Sequence, residues 1–144
     1  MTGDEIINHG VQVQDRSAQE MLALLTPKRK TESYYQTLTE NILNGGHLHI
    51  QSVGFTDLTL ENAHVEIKHG PMYHVTAGQL LKYHLARPRQ FRVAILFGRI
   101  PVDVNFLREF FSHTIVTHVL YFDDSDNIIP LYRCTGTTSP YWSR

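Results

Sequence analysis

Asp57-Leu58-Thr59-Leu60-Glu61-Asn62-Ala63-His64-Val65-Glu66-Ile67-Lys68 is the stretch whose reading decides the fold. Apolar residues alternate with polar ones on both sides of Glu61-Asn62, the pattern of two strands joined by a two-residue turn. Facing residues in such a hairpin have a constant number sum. Leu60 therefore faces Ala63, Leu58 faces Val65 and Asp57 faces Glu66. Facing side chains point to one side with Cβ atoms roughly 4.5 to 5.5 Å apart, so the two carboxylates are neighbours. Lys68, two residues beyond Glu66, joins them, while Leu58, Leu60, Val65 and Ile67 fall on the opposite face. The expectation is a ribbon with a dry side and a wet side that carries two acids and a lysine. His64 falls on that second face, where it either contacts substrate or is a simple exposed histidine near the turn.

Two adjacent carboxylates repel unless a cation lies between them. Asp and Glu oxygens suit Mg²⁺, with Mn²⁺ as a substitute, because this hard ion takes few protein ligands and keeps waters. One such water is a candidate nucleophile, and a lysine ammonium can orient it or stabilise charge developing on a phosphate. The chemistry that fits is metal-assisted hydrolysis of a phosphodiester. The structural alternative is an ordinary exposed strand, on which Glu-x-Lys is common.

Outward from the hairpin the periodicity changes. On its N-terminal side, Tyr34, Leu38 and Ile42 recur every four residues and predict a helix from Thr31, with Glu32 and Gln36 on its opposite edge and Gly45-Gly46 as the left-handed terminus. His47 to Val53 reads as a strand. After the hairpin, a helix is predicted from about His74 to Ala86, where Leu81 and Leu85 stand four apart and Pro88 blocks propagation. It carries Gln79 and Tyr83 on one face, suited to touching a phosphate or supporting Lys68. Phe91 to Phe97 reads as a strand buried on both faces. A helix from Asp103 to Phe111, a strand from Ile115 to Phe122, a turn at 123–127 and an edge strand at Ile128 to Arg133, marked by Pro130, complete the core. Val11 to Gln14 predicts a short strand, and Ser17 with Glu20 a capping box before Met21 to Leu25. The expected architecture is α/β, a mixed central sheet flanked by helices, in one domain with an extension at 1–30, a core at 31–133 and a tail at 134–144.

Composition narrows the function. The 144 residues suit a single domain, and thirteen basic against fourteen acidic side chains leave a net charge of -1. Any polyanion site is therefore local. Between Lys68 and Val102 stand Lys68, Lys82, Arg87, Arg89, Arg92 and Arg99 with no acid, a basic segment hidden in a neutral total. Lys82, Arg87, Arg89 and Arg92 are the candidate nucleic-acid contacts. Cys134 is the single cysteine, which excludes an intramolecular disulfide framework and a cysteine-rich zinc site. The start Met1-Thr2-Gly3-Asp4 lacks signal-peptide regions and no segment approaches the ~20 apolar residues of a membrane span, so an intracellular protein, cytoplasmic or nuclear, is expected.

In order, Gly54-Phe55-Thr56-Asp57, Val65-Glu66-Ile67-Lys68 and Gly78-Gln79-Leu80-Leu81-Lys82-Tyr83 resemble the motifs of the PD-(D/E)XK nuclease superfamily. The last is similar to the Gln-x-x-x-Tyr element of its RecB-type members. Thr56 stands where the family's proline would precede the aspartate. The resemblance runs from Glu32 to about Gly98 and implies a restriction-endonuclease-like fold. It also implies divalent metal held near Asp57 and Glu66, with Lys68 at the attacking water. An acid on the first core helix often joins such sites, and Glu32 fills that place, its alternative being a helix-dipole partner.

The function expected is a Mg²⁺-dependent endonuclease acting on DNA, double-stranded by expectation, as a homodimer or higher oligomer. Phe106, Leu107, Phe110 and Phe111 and the Tyr141-Trp142 tail are interface or core material. The alternative is a nucleic-acid-binding or assembly module on the same fold that does not cut. His47 with His49, His69 with His74, and His113 with His118 offer incomplete ligand sets. Asp123 to Asn127 lacks the glycine and glutamate of an EF-hand and reads as a turn.

Overall fold

The computed structural model describes residues 30–50 and 53–135. The chain divides between Thr31 and Glu32 into two units, and the second is described here. The strand expected at 11–14, the helix at 17–25 and the Tyr141-Trp142 tail lie outside the described residues.

The elements run α1 (Glu32–Leu43), β1 (His49–Ile50), β2 (Gly54–Phe55), β3 (Leu58–Thr59), β4 (Ala63–His69), a 3₁₀ turn (Gly70–Met72), α2 (Tyr73–Ala86), β5 (Phe91–Phe97), α3 (Val104–Ser112), β6 (His118–Phe122) and β7 (Ile128–Arg133). Strands β3-β4-β5-β6-β7 form one sheet in that order, and β1-β2 form a small ribbon. Pairing is antiparallel at β3/β4, parallel at β4/β5 and β5/β6, and antiparallel at β6/β7. The parallel steps follow from the helices: α2 and α3 each separate strands that then run the same way.

The decisive hairpin has the expected register. Leu58 faces Val65, and Leu60 and Ala63 exchange backbone hydrogen bonds around Glu61-Asn62. Leu58, Leu60, Val65 and Ile67 are buried with Val93, Ile95, Phe97, Leu120 and Phe122 against Tyr35 of α1. The other face buries Ala94, Leu96 and Val119 against Leu80 and Tyr83 of α2 and Leu107 and Phe111 of α3. The sheet is thus covered on both sides, which corrects the expectation of a wet face: α2 lies over the side that carries His64 and Glu66. Both are buried, and His64 is no exposed turn histidine.

Four further expectations are corrected. The buried stripe of α1 is Tyr35 and Thr39, with Tyr34 and Ile42 exposed, because Tyr35 stacks between Phe97 and Phe122 at centroid distances of 4.5 and 4.9 Å. On α2 the buried residues are Thr76, Leu80 and Tyr83, and Leu81 and Leu85 face out. Asn44, at φ 54°, supplies the left-handed end of α1 in place of Gly45-Gly46; Gly45 instead admits the close approach of Leu58, Thr59 and Leu60. The strand expected from Ile115 begins only at His118, since Thr114 turns back to Phe111 before the sheet is reached.

The turn at 123–127 and the edge position of Pro130 are as read, and the helix expected from Asp103 begins one residue later. Asp103 caps α3 by accepting from the Phe106 N–H at 2.8 Å. Asp123 Oδ1 accepts from the N–H groups of Ser125 and Asn127, both at 2.9 Å, making the 123–127 segment a turn. Pro130 lies on edge strand β7 beside an irregularity in its pairing with β6. Leu107 and Phe111 are core, and Phe106 is exposed. Among the described residues no helix is long and apolar enough to cross a membrane.

Candidate functional site

Strand β3 has only two residues, so β4 runs past it: among the described residues, Glu66 to His69 have no neighbouring strand on that side. The free backbone donors of an edge need partners. Asp57 supplies one, its Oδ2 accepting from the Ile67 N–H at 2.8 Å, so that a side chain continues the ladder where the backbone has left it. That bond fixes the Asp57 carboxylate beside Glu66.

The other oxygen of Asp57 is held from α1. Gln36 Nε2 donates to Asp57 Oδ1 at 3.1 Å and to Glu32 Oε1 at 3.3 Å. Lys68 Nζ lies 3.3 Å from Glu32 Oε1 and 3.8 Å from Glu66 Oε1. Asp57, Glu66, Lys68 and Glu32 therefore converge at one notch in the sheet edge. Gln36, one turn along α1 from Glu32, is a member of this cluster that the sequence reading left on an outer edge. Its signal was present in the i, i+4 spacing.

Electrostatically the notch is short of positive charge. Glu66 is only 3% exposed, and its Oε2 has no hydrogen-bond partner among the described residues. Burial, then the charge and hydrogen bonding of Asp57, push its carboxyl up to about 8, and the opposing pull of Lys68 does not cancel them. Partial burial works against the Lys68 ammonium, but Glu32, Glu66 and Asp57 outweigh it and hold its pKa above the ordinary lysine value. Tyr83 donates to the Phe55 carbonyl at 3.1 Å. Burial first, and then the Glu66 charge, hold its phenol above the usual range.

A divalent cation fits this donor set. An orphaned buried carboxylate oxygen beside a second carboxylate is a place for positive charge, and Mg²⁺ needs only one or two protein carboxylates with water completing its shell. Among the described residues no group of three or more His, Cys, Asp or Glu side chains is arranged to hold a metal, so the fit is to the Asp57–Glu66 pair. Glu32 is engaged with Lys68 and Gln36.

The other candidates lie as follows. Gln79 is half-buried on α2, one turn before Tyr83, and its side chain makes no hydrogen bond among the described residues. Lys82 and Arg87 are exposed. Arg89 is half-buried, and its Nε has no partner among the described residues. Arg92 is tied to carbonyls, its Nε donating to Ile115 at 3.0 Å and its Nη1 to Arg89 and Gln90 at 3.1 and 2.9 Å. His64 Nε2 lies 2.6 Å from the Arg87 carbonyl. His47 and His49 do not converge: His47 contacts the Thr56 carbonyl at 3.0 Å and Glu40 at 3.6 Å, and His49 lies against Phe55. His113 pairs with Glu109 at 3.1 Å, and His118 is buried.

Comparison of the chain with protein-family models, with curated proteins and with solved structures found no match.

Proposed function

We propose that this chain is a divalent-metal-dependent endonuclease of the PD-(D/E)XK type, cutting phosphodiester bonds of DNA. The observation that carries the reading is the convergence of Asp57, Glu66 and Lys68 on one notch at the open edge of β4, with Lys68 Nζ 3.8 Å from Glu66. The order of elements supports it: a helix, a hairpin ending in Glu-x-Lys, a helix bearing Gln79 and Tyr83, and a parallel strand. This is the arrangement expected of a restriction-endonuclease-like fold.

In this reading Asp57 and Glu66 hold the ion, which supplies Lewis-acid stabilisation of charge on a phosphoryl oxygen. Lys68 stands beside Glu66, where its ammonium orients the attacking water and stabilises the charge that develops as the phosphorus–oxygen bond breaks. Glu32 positions Lys68, and Gln36 and the Ile67 N–H aim the two oxygens of Asp57. Tyr83, which interacts with Glu66 from α2, restricts its carboxylate. Lys82 and Arg87, exposed on and just beyond α2, offer charge to the substrate backbone. A domain of this size covers a limited length of DNA, which favours action as a homodimer or larger assembly.

The test sets purified protein against supercoiled, branched and single-stranded DNA and RNA with Mg²⁺ or Mn²⁺. Nicking or cleavage is expected, abolished by EDTA and lowered about 100-fold or more in Lys68→Ala, with the variant folded by circular dichroism. If the wild-type protein leaves all of these intact, the reading falls, and a module that binds without cutting takes its place.

A further inference from the structure

Beside the notch, the structure presents an aromatic pair that the fold does not use. Phe55 is 67% exposed in the two-residue strand β2 and pairs with exposed His49 on β1, their ring centroids 4.7 Å apart at 51°. A phenylalanine left in water forgoes the stabilisation that burial would bring.

The backbone around Phe55 is nevertheless fixed. Its carbonyl accepts from Tyr83 of α2 at 3.1 Å. Its neighbour Thr56 is buried: the Thr56 N–H donates to the Leu48 carbonyl at 2.9 Å, and the Thr56 hydroxyl oxygen accepts from the Leu48 N–H at 3.0 Å. The Thr56 carbonyl lies 3.0 Å from His47 Nδ1. The ring is thus held out to solvent on a braced support, two residues before Asp57.

The proposed phosphodiester site beside it says what covers it. Asp57 follows two residues later, and Tyr83, which holds the Phe55 carbonyl, interacts electrostatically with Glu66 of the same site. An exposed aromatic face next to a site that cuts phosphodiesters suits a nucleotide: the base stacks on the ring while its phosphate lies at the site. In a duplex the base faces are already stacked on each other and only their edges can be reached, so the base that can lie on Phe55 is an unpaired one.

We infer that Phe55 and His49 form a stacking platform for an unpaired nucleobase, so that the substrate is single-stranded or locally unpaired beside the scissile phosphate. This rests on the nuclease reading for the identity of the ligand, and its test is a binding measurement that needs no cleavage. A short single-stranded DNA carrying 2-aminopurine, and the same sequence as a duplex, are titrated with protein in EDTA. The fluorescence of the single strand is expected to be quenched on binding. Phe55→Leu, which keeps an apolar side chain but removes the aromatic face, should weaken single-strand binding about tenfold and leave duplex binding within about twofold. Phe55→Tyr should bind as the wild type does, and His49→Ala should weaken single-strand binding in the same direction as Phe55→Leu. Equal single-strand affinity in Phe55→Leu and wild type, or binding without quenching, overturns the platform. If plasmid is still cut in Mg²⁺, the nuclease reading survives that result; if the wild type neither binds nor cuts any nucleic acid, both fall.

Discussion

The side-chain amide of Gln36 donates to the Asp57 carboxylate at 3.1 Å, tying α1 to the residue that begins the hairpin. The same amide reaches Glu32, so one nitrogen orients two acids from different elements. Because Asp57 Oδ2 is already fixed by the Ile67 N–H, loss of the amide frees only the oxygen that faces the cluster. Gln36→Leu should therefore lower the cleavage rate about 10- to 100-fold and raise the Mg²⁺ concentration needed for half-maximal rate. Stability should change by about 1 kcal/mol, the worth of a part-buried hydrogen bond. An unchanged metal requirement in the folded variant would show that Gln36 does not act through Asp57.

Glu66 predicts a pH dependence of stability. Its carboxyl rises from 4.5 to about 8 on folding, chiefly through burial and then through Asp57. Between those values the native state holds a proton that the unfolded chain has released, so stability falls as pH rises and levels off above about 8. Glu66→Gln keeps the shape and removes the titration. Urea denaturation of both proteins from acid to mildly alkaline pH should show the wild type losing stability relative to the variant as pH rises. Parallel profiles would mean that Glu66 is ionised throughout.

The hairpin was legible because its information is local: alternation and a two-residue turn fix the register, and the register fixes which acids meet. The burial of that meeting place was not legible. Whether the Glu66 face is wet depends on where α2 docks, and α2 shows leucines at 80, 81 and 85, of which only Leu80 is buried. Gln36 was hidden for the same reason, since its value comes from Asp57 twenty-one residues away. Arg92 was read as a phosphate contact from charge alone, but its guanidinium closes the loop carbonyls around β5.

The face of α1 can be tested directly. Tyr35 stacks on Phe97 and Phe122 in the core, whereas Ile42 on the same helix is half-exposed. Tyr35→Ala opens a cavity between α1 and the sheet and should cost about 3 to 5 kcal/mol. Ile42→Ala should stay within about 0.5 to 1 kcal/mol. Chemical denaturation separates the two, and a larger effect at Ile42 would place the buried stripe where the spacing of Tyr34, Leu38 and Ile42 had put it.

Two glycines on either side of the start of α2 should respond to alanine with opposite signs. A Cβ on Gly70 would overlap the Arg99 carbonyl, which is backbone and has no rotamer by which to move away. Gly70 is two residues beyond Lys68, so relieving the overlap would displace the end of β4 from the loop after β5. Gly70→Ala should lower stability by about 1 to 3 kcal/mol, as overpacking does. A Cβ on Gly78 meets no atom within 4 Å, and the residue lies exposed inside α2, where glycine pays for its freedom in the unfolded chain. Gly78→Ala should raise stability by roughly 0.5 to 1 kcal/mol. Thermal melts of the two variants beside the wild type decide the matter, and a neutral Gly70→Ala would mean that the end of β4 does not pack on Arg99.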